Sequence, residues 1–323
     1  VIEAPTEATI DRAARTLLSG GLVAFPTETV YGLGADASQR EAVERIYSLK
    51  GRPSGHPLIV HVPDAAAARR WARSDARAER LVQAFWPGPL TLILPRADGA
   101  PPWACGGQDS VGLRCPSHPV AHALLARFVA LGGTGVAAPS ANRFGRVSPT
   151  RAEHVVDDLG ADAPMVLDGG PSEVGVESTI VDLTRDRPVL LRPGRIGREA
   201  LEGVLGGAVL DRDADAPRAS GTLAAHYQPA TPVELVAPGT LEARLDALAG
   251  QRIAAWSARP PRRTIAAWVG APSEAADFEA ALYDTLRRLD ALRADRILIE
   301  APPCDAAWDA VHDRLGRAAH RGD

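Results

Sequence analysis

The chain has 323 residues, 46% of them hydrophobic and 24% charged, which is ordinary globular composition and too long for one ordinary core. A net charge of -4 and a pI near 6.1 exclude a whole-chain field toward nucleic acid or anionic lipid, although a local basic groove stays open. Cys105, Cys115 and Cys304 lack C-x-x-C spacing and are too few for a disulfide framework or structural zinc, and no apolar run approaches ~18 residues.

Apolar residues at Ile10, Ala13, Ala14, Leu17 and Leu18 predict a helix stopped by Gly20-Gly21. This start lacks the basic-then-apolar order of a signal peptide, and a reducing cytoplasm is the expected setting. Leu22–Phe25 reads as a buried strand ended by Pro26. The polar run Phe25-Pro26-Thr27-Glu28-Thr29-Val30-Tyr31-Gly32-Leu33-Gly34 then emerges at a sheet edge. Gly32-Leu33-Gly34-Ala35-Asp36-Ala37 matches G-x-G-x-x-A superficially, but the strand ends too early for a dinucleotide fold.

A helix over 38–49 follows, with Ser38 as its expected N-cap and Glu41 at the capping-box position. It leads into Ser48-Leu49-Lys50-Gly51-Arg52-Pro53-Ser54-Gly55-His56-Pro57. Lys50 is the only lysine in the chain, although Lys and Arg together number 36. A compact ammonium retained where arginine has replaced lysine elsewhere suggests an anionic partner such as phosphate.

Strands are expected at 58–62 and 90–94, with mostly helix over 64–85 between them. His56 and His61 leave opposite faces of an ideal strand and so make a poor metal pair. Ser110–Arg114 is a strand ending in an arginine able to clamp a carboxylate, or to sit solvated on an edge strand. A helix over 119–131 follows; His118 and His122 lack the Glu of H-E-x-x-H. A strand over 135–138 opens Pro139-Ser140-Ala141-Asn142, whose small residues let backbone approach a ligand. Ser148 and Thr150 are expected caps for a helix over 151–159. Strands at 165–167, 178–183 and 188–191 complete a mixed twisted sheet, with Glu177-Ser178-Thr179 and Arg192-Pro193-Gly194 at strand ends.

From 206 to 231 the pattern dissolves into Gly, Asp, Ala, Pro and Ser, a linker too long for an ordinary loop. Residues 232–323 read as a small α/β domain of Rossmann-like type, with strands at 233–236, 252–256, 264–268 and 296–300 and helices at 241–248, 274–292 and 305–319. No G-x-x-x-x-G-K-[ST] or kinase signature occurs. The polar loops at strand ends together suggest one site for a small anionic substrate and a nucleotide.

Several motifs carry a family resemblance. They are Pro26-Thr27-Glu28-Thr29-x-Tyr31-Gly32-Leu33, Lys50-x-Arg52-Pro53 with Pro57 to His61, Trp86-Pro87-Gly88-Pro89-Leu90-Thr91, Arg114, Pro139-Ser140-Ala141-Asn142, Ser148-Pro149-Thr150 and Glu177-Ser178-Thr179. In this order they resemble the YrdC-like threonylcarbamoyl-AMP synthases over residues 10–200. Ser220-Gly221-x-x-x-x-His226-Tyr227-x-Pro229, Pro302-Pro303 and Asp313-Arg314-Leu315-x-Arg317 resemble the long form, which adds a linker and a Rossmann-like domain.

The resemblance implies a catalytic domain over 1–205 with a concave twisted mixed sheet, a linker or lid over 206–231 and a smaller domain over 232–323. It implies a nucleotidyltransferase that converts L-threonine, bicarbonate and ATP, with Mg²⁺, into threonylcarbamoyl-AMP and pyrophosphate. The product would feed the tRNA threonylcarbamoyl-transfer machinery acting at adenosine 37. By position, Thr29, His61, Arg114, Ala138 and Ser178 would hold threonine. Arg52, His56, Ser110, Ser140, Asn142, Ser148, Arg192 and Tyr227 would hold ATP, with Lys50 facing its phosphates beside Arg52. No side-chain metal ligands, no membrane and no stable nucleic-acid binding are expected. The rivals are a double-stranded RNA-binding module without catalysis, a zinc-containing carbamoyl-adenylating maturation protein, and a nucleotide-binding paralogue without activity.

Overall fold

A computed structural model describes residues 1–223 and 226–320. Ala224 and Ala225 of the expected linker, and 321–323 of the expected smaller domain, lie outside the described residues. The chain divides into two compact units, one of residues 1–144 with 148–222, the other of 145–147 with 223–323.

The first unit begins with β1 (Ile2–Glu3), α1 (Glu7–Leu18), β2 (Val23–Phe25), β3 (Gly32–Asp36), α2 (Arg40–Lys50), β4 (Ile59–His61), α3 (Ala65–Ala68), α4 (Ala76–Phe85) and β5 (Leu90–Pro95). It continues with β6 (Ser110–Arg114), α5 (Pro119–Ala130), β7 (Val136–Ala137), α6 (Ala152–Leu159), β8 (Met165–Leu167), β9 (Thr179–Asp182), β10 (Val189–Arg192), α7 (Arg198–Leu205) and β11 (Leu210–Asp211). One sheet holds all eleven strands in the order β1-β8-β2-β3-β7-β4-β6-β5-β9-β10-β11, mixing parallel and antiparallel pairs as expected.

Alternation along the strands buries both faces. Val23 and Phe25 pack with α1 and α5, whereas Ala24 joins the larger core that includes Val43 and Ile46 of α2. The register carries one face across the sheet. His61 pairs with Arg114 and with Val136, and Ile59 with Gly112. Thr91 pairs with Ile180, and Ile180 with Arg192. Because side chains alternate, Ala138, His61, Ser110, Arg114, Thr91, Ser178 and Arg192 share that face. Toward β2 it is covered by α1 and α5; toward β10 an apolar patch of Ile59, Ile93, Ile180 and Leu191 is covered by Ala219. The polar residues lie between these two covered patches.

The structure departs from several local readings, each for a physical reason. Ser38 does not cap α2; its hydroxyl and amide, together with Gln39, are taken by the Asp36 carboxylate, and Gln39 occupies the cap position. Ser148 and Thr150 do not cap α6, whose N-cap position is Arg151 and carries no side-chain capping bond; Ser148 instead donates to Glu177 at 2.6 Å. Of the two readings left open for Arg114, the solvated edge-strand one does not apply, since β6 lies between β4 and β5. The expected structureless run after Gly206 contains β11, which pairs in parallel with β10.

The second unit contains β12 (Val233–Val236), α8 (Leu241–Ala247), β13 (Ile253–Ser257), β14 (Ala267–Gly270), α9 (Ala275–Ala291), β15 (Arg296–Glu300) and α10 (Asp309–Ala319). Its four strands run parallel in the order β12-β15-β13-β14, the open sheet expected of a Rossmann-like domain.

Candidate active site

Helix α2 delivers the first cations. It ends at Gly51, held left-handed at φ 62°, a conformation that suits glycine because no Cβ clashes with the backbone. The amide of Arg52 then returns to the carbonyl of Tyr47 at 2.9 Å, so Lys50 and Arg52 flank one tight turn.

Lys50 is buried and donates to the carbonyl oxygens of Ser140 (2.6 Å) and Asn142. Burial pulls its pKa well below the usual lysine range, Arg52 adds to that, and Asp158 opposes it. The ammonium therefore shapes the Ser140–Asn142 loop as well as carrying charge. Asn142 donates its own amide to the carbonyl of Arg143 at 2.8 Å.

Arg52 donates to the carbonyl of Pro57 at 2.9 Å and to Ser220 Oγ at 3.4 Å, and its guanidinium lies 5.6 Å from the Phe144 ring centre. His56 meets the same ring edge-on at 5.5 Å; burial, Arg52 and Arg218 all lower its pKa. Ser220 in turn accepts from Arg192, whose Nη1 reaches its carbonyl at 2.9 Å. Arg192 also donates to Ser178 through the carbonyl (3.0 and 2.9 Å) and the hydroxyl (3.1 Å). Ser178 and Thr91 share a hydrogen bond of 2.7 Å. Arg52, Ser220, Arg192, Ser178 and Thr91 thus form one connected network.

A second network surrounds Arg114. Its Nη1 donates to Thr29 Oγ1 at 2.8 Å, and its Nη2 forms an ion pair with Glu28 at 2.8 Å, both side chains only 5% exposed. Thr29 also bonds Thr27 at 2.9 Å. Among the described residues neither Glu28 carboxylate oxygen has a hydrogen-bond partner, which leaves acceptor capacity beyond the ion pair.

His61 lies beside Arg114 on β4, with Nδ1 3.2 Å from the carbonyl oxygen of Ile59. Burial and then Arg114 push its pKa from 6.5 to about 3 against smaller pulls from the Ile59 and Val136 carbonyls. The unfolded ring protonates as pH falls through 6.5, the folded ring only near 3. Between those values the unfolded chain binds more protons, and stability falls with pH. Urea unfolding at neutral pH and at about pH 5 should show a larger loss for the wild-type chain than for His61→Asn. Equal losses would show that His61 is not held neutral.

Ala138 donates its amide to the carbonyl of Ile59 at 3.0 Å, which seats the β7 end beside β4. Ser110 opens β6, about 13 Å along the strand from Arg114 at the usual rise. Tyr227 belongs to the second unit. There it is buried at φ 61° against Tyr283 (5.5 Å between ring centres) and under Arg314. Glu28, Thr91, Glu177 and Ser220 are functional candidates that have no role by family position alone. Each lies inside a quoted motif, and that was their only signal.

Comparison with known proteins bears on this arrangement. Residues 15–194 match the Sua5/YciO/YrdC family model, described as "Telomere recombination", and residues 196–320 match the threonylcarbamoyl-AMP synthase C-terminal domain. The threonylcarbamoyl-AMP synthase of Bacillus subtilis is 39% identical over 96% of this chain and 92% of its own. The chain belongs to the threonylcarbamoyl-AMP synthase family. The family member from Schizosaccharomyces pombe is 35% identical over 97% of this chain and 89% of its own. The crystal structure of Pyrococcus abyssi Sua5 complexed with L-threonine superposes with a TM-score of 0.89 at 35% identity, covering 99% of this chain and 96% of that one. The Arg114 network lies within the Sua5/YciO/YrdC match, as does the Arg52–Arg192 network apart from Ser220, which falls in the C-terminal-domain match.

Proposed function

We propose that this chain is an L-threonylcarbamoyladenylate synthase, a nucleotidyltransferase that forms threonylcarbamoyl-AMP and pyrophosphate from L-threonine, bicarbonate and ATP. The observation that carries the reading is the buried Arg114, flanked by Thr29 and Glu28, on the sheet face that also bears Ser178 and Arg192. The P. abyssi relative bound to L-threonine supports it.

Threonine enters as a zwitterion. Its carboxylate takes guanidinium donors of Arg114, and its ammonium faces Glu28, so each charge meets its opposite in a desolvated place. Glu28 accepts the ammonium proton. The free amine then attacks bicarbonate, forming the carbamate C–N bond with loss of water. A carbamate oxygen attacks the α-phosphorus of ATP, the bond to the β-phosphate oxygen breaks, and pyrophosphate leaves.

Arg52, Arg192 and Lys50 offset the phosphate charge, with Ser110, Ser140, Asn142, Ser148, His56 and Tyr227 assigned to the nucleotide by family position. The networks hold these groups in place beforehand, so positioning and charge neutralisation supply much of the rate. Mg²⁺ would travel on the ATP phosphates and balance their charge. Among the described residues no group of three or more His, Cys, Asp or Glu gathers as a metal cage. The product would pass to the tRNA threonylcarbamoyl-transfer machinery. No helix among the described residues is long and apolar enough to cross a membrane, and a cytoplasmic setting belongs to the same proposal.

A double-stranded RNA-binding role is disfavoured. Arg52, Arg114 and Arg192 are 8%, 4% and 3% exposed, and buried guanidiniums cannot reach the phosphates of a duplex. Bicarbonate-dependent pyrophosphate release tests the reading. Threonine should support it, serine about tenfold less well, and valine about 10⁴-fold less, because valine leaves the buried hydroxyl partners unpaired. Release independent of the amino acid supplied would end the proposal.

A further inference from the structure

The second unit carries a cleft of about 720 Å³, within the range of small-molecule sites. It is walled by residues 238–242, 258–262, 271–273 and 300–303, segments that follow the carboxyl ends of β12, β13, β14 and β15. In open parallel sheets ligands bind at that end, where neighbouring strands send their connections over opposite faces.

The two faces can be told apart here. Helix α8, which follows β12, packs with Val236, Ile253, Ala255 and Leu298. Trp256 points the other way, stacking on Phe278 of α9 at 4.0 Å between ring centres, with Trp308 edge-on to Phe278 at 5.6 Å. The chain therefore leaves β12 over one face and β15, through Trp308, over the other. The cleft opens between those exits.

Its chemistry is divided. Leu241, Phe278 and Trp308 give an apolar floor. Glu300, at the end of β15, accepts the amide of Gly239 at 2.8 Å and of Ala258 at 3.2 Å, fixing the loops after β12 and β13 while each oxygen keeps acceptor capacity. Arg259 and Arg262 are exposed on the wall, and their side chains have no hydrogen-bond or ion-pair partner among the described residues. Two uncommitted guanidiniums, an apolar floor and a fixed carboxylate, all lining one cleft, match a phosphate, a flat base and sugar hydroxyls.

We propose that the second domain binds a nucleoside phosphate in this cleft, its phosphates on Arg259 and Arg262, its base against the Phe278–Trp308 floor and its sugar hydroxyls toward Glu300. This site is separate from the one that handles threonine, and its test does not depend on turnover.

The experiment uses the full chain labelled with 5-fluorotryptophan, with the Trp308 resonance assigned through Trp308→Phe. ADP titration should shift that ¹⁹F signal saturably, and Arg259→Ala with Arg262→Ala should weaken the apparent affinity about tenfold or more. Inorganic pyrophosphate and adenosine, run separately, should each bind more weakly than ADP. An unmoved Trp308 signal at millimolar ADP would overturn the proposal. So would an affinity unchanged in the double variant, or pyrophosphate binding as tightly as ADP, since the floor would then contribute nothing.

Discussion

Arg114→Ala is expected to raise the threonine KM by about 100-fold or more and to destabilise the chain by about 3–5 kcal/mol. Both effects have one cause. The guanidinium is the partner of Glu28, and each side chain is 5% exposed. Removing it leaves a carboxylate in a desolvated place with no counter-charge, and it removes the group that receives the substrate carboxylate. The two consequences can be separated. Adding Glu28→Gln to Arg114→Ala takes away the uncompensated charge, so most of the lost stability should return in urea unfolding. Activity should not, because the glutamine cannot take the ammonium proton and no guanidinium is present. A double variant no more stable than Arg114→Ala would show that the ion pair is not what holds this region. An unchanged threonine KM in the single variant would remove Arg114 from the substrate.

Lys50→Ala should lower threonine- and bicarbonate-dependent pyrophosphate release by about 10²–10³-fold while the chain stays folded. Two losses coincide in that variant. One is a positive charge beside the proposed phosphates. The other is the ammonium that bridges the carbonyls of Ser140 and Asn142, without which the loop assigned to ATP loses its anchor. Lys50→Arg discriminates between them and a bulk charge effect. A planar guanidinium keeps the charge but cannot point compact donors at two carbonyls converging in a closed space, so activity should stay low. Full recovery in Lys50→Arg would mean that charge alone matters. Near-normal turnover in Lys50→Ala would remove the residue from the reaction.

Much of this was legible before any fold was known. The retained lysine, the arginine ending an alternating strand and the small-residue loop after 135–138 each announced a local chemical possibility, and their order carried the family resemblance. Other parts were hidden for identifiable reasons. Strand β3, Gly32-Leu33-Gly34-Ala35-Asp36, has no β-branched or aromatic residue and reads as loop, yet it pairs with β2 and β7. Ser38 and Ser148 have the chemistry of caps, but Asp36 and Glu177 claim their hydroxyls first. Arg198–Leu205 is an amphipathic helix of only eight residues, too short for its periodicity to stand out beside the glycine-rich run that follows it.

The sequence by itself determined which side chains were available and the local turns that present them, such as Lys50 and Arg52 on either side of Gly51. It did so because caps, glycines and alternation act over a few neighbouring residues. Only the tertiary structure decided that Glu28 meets Arg114, that Lys50 holds the Ser140–Asn142 carbonyls, and that Arg52 joins Arg192 through Ser220. Those meetings follow from strand order and register. Contacts between residues 86, 90 or 168 positions apart leave no periodic trace in the chain that makes them.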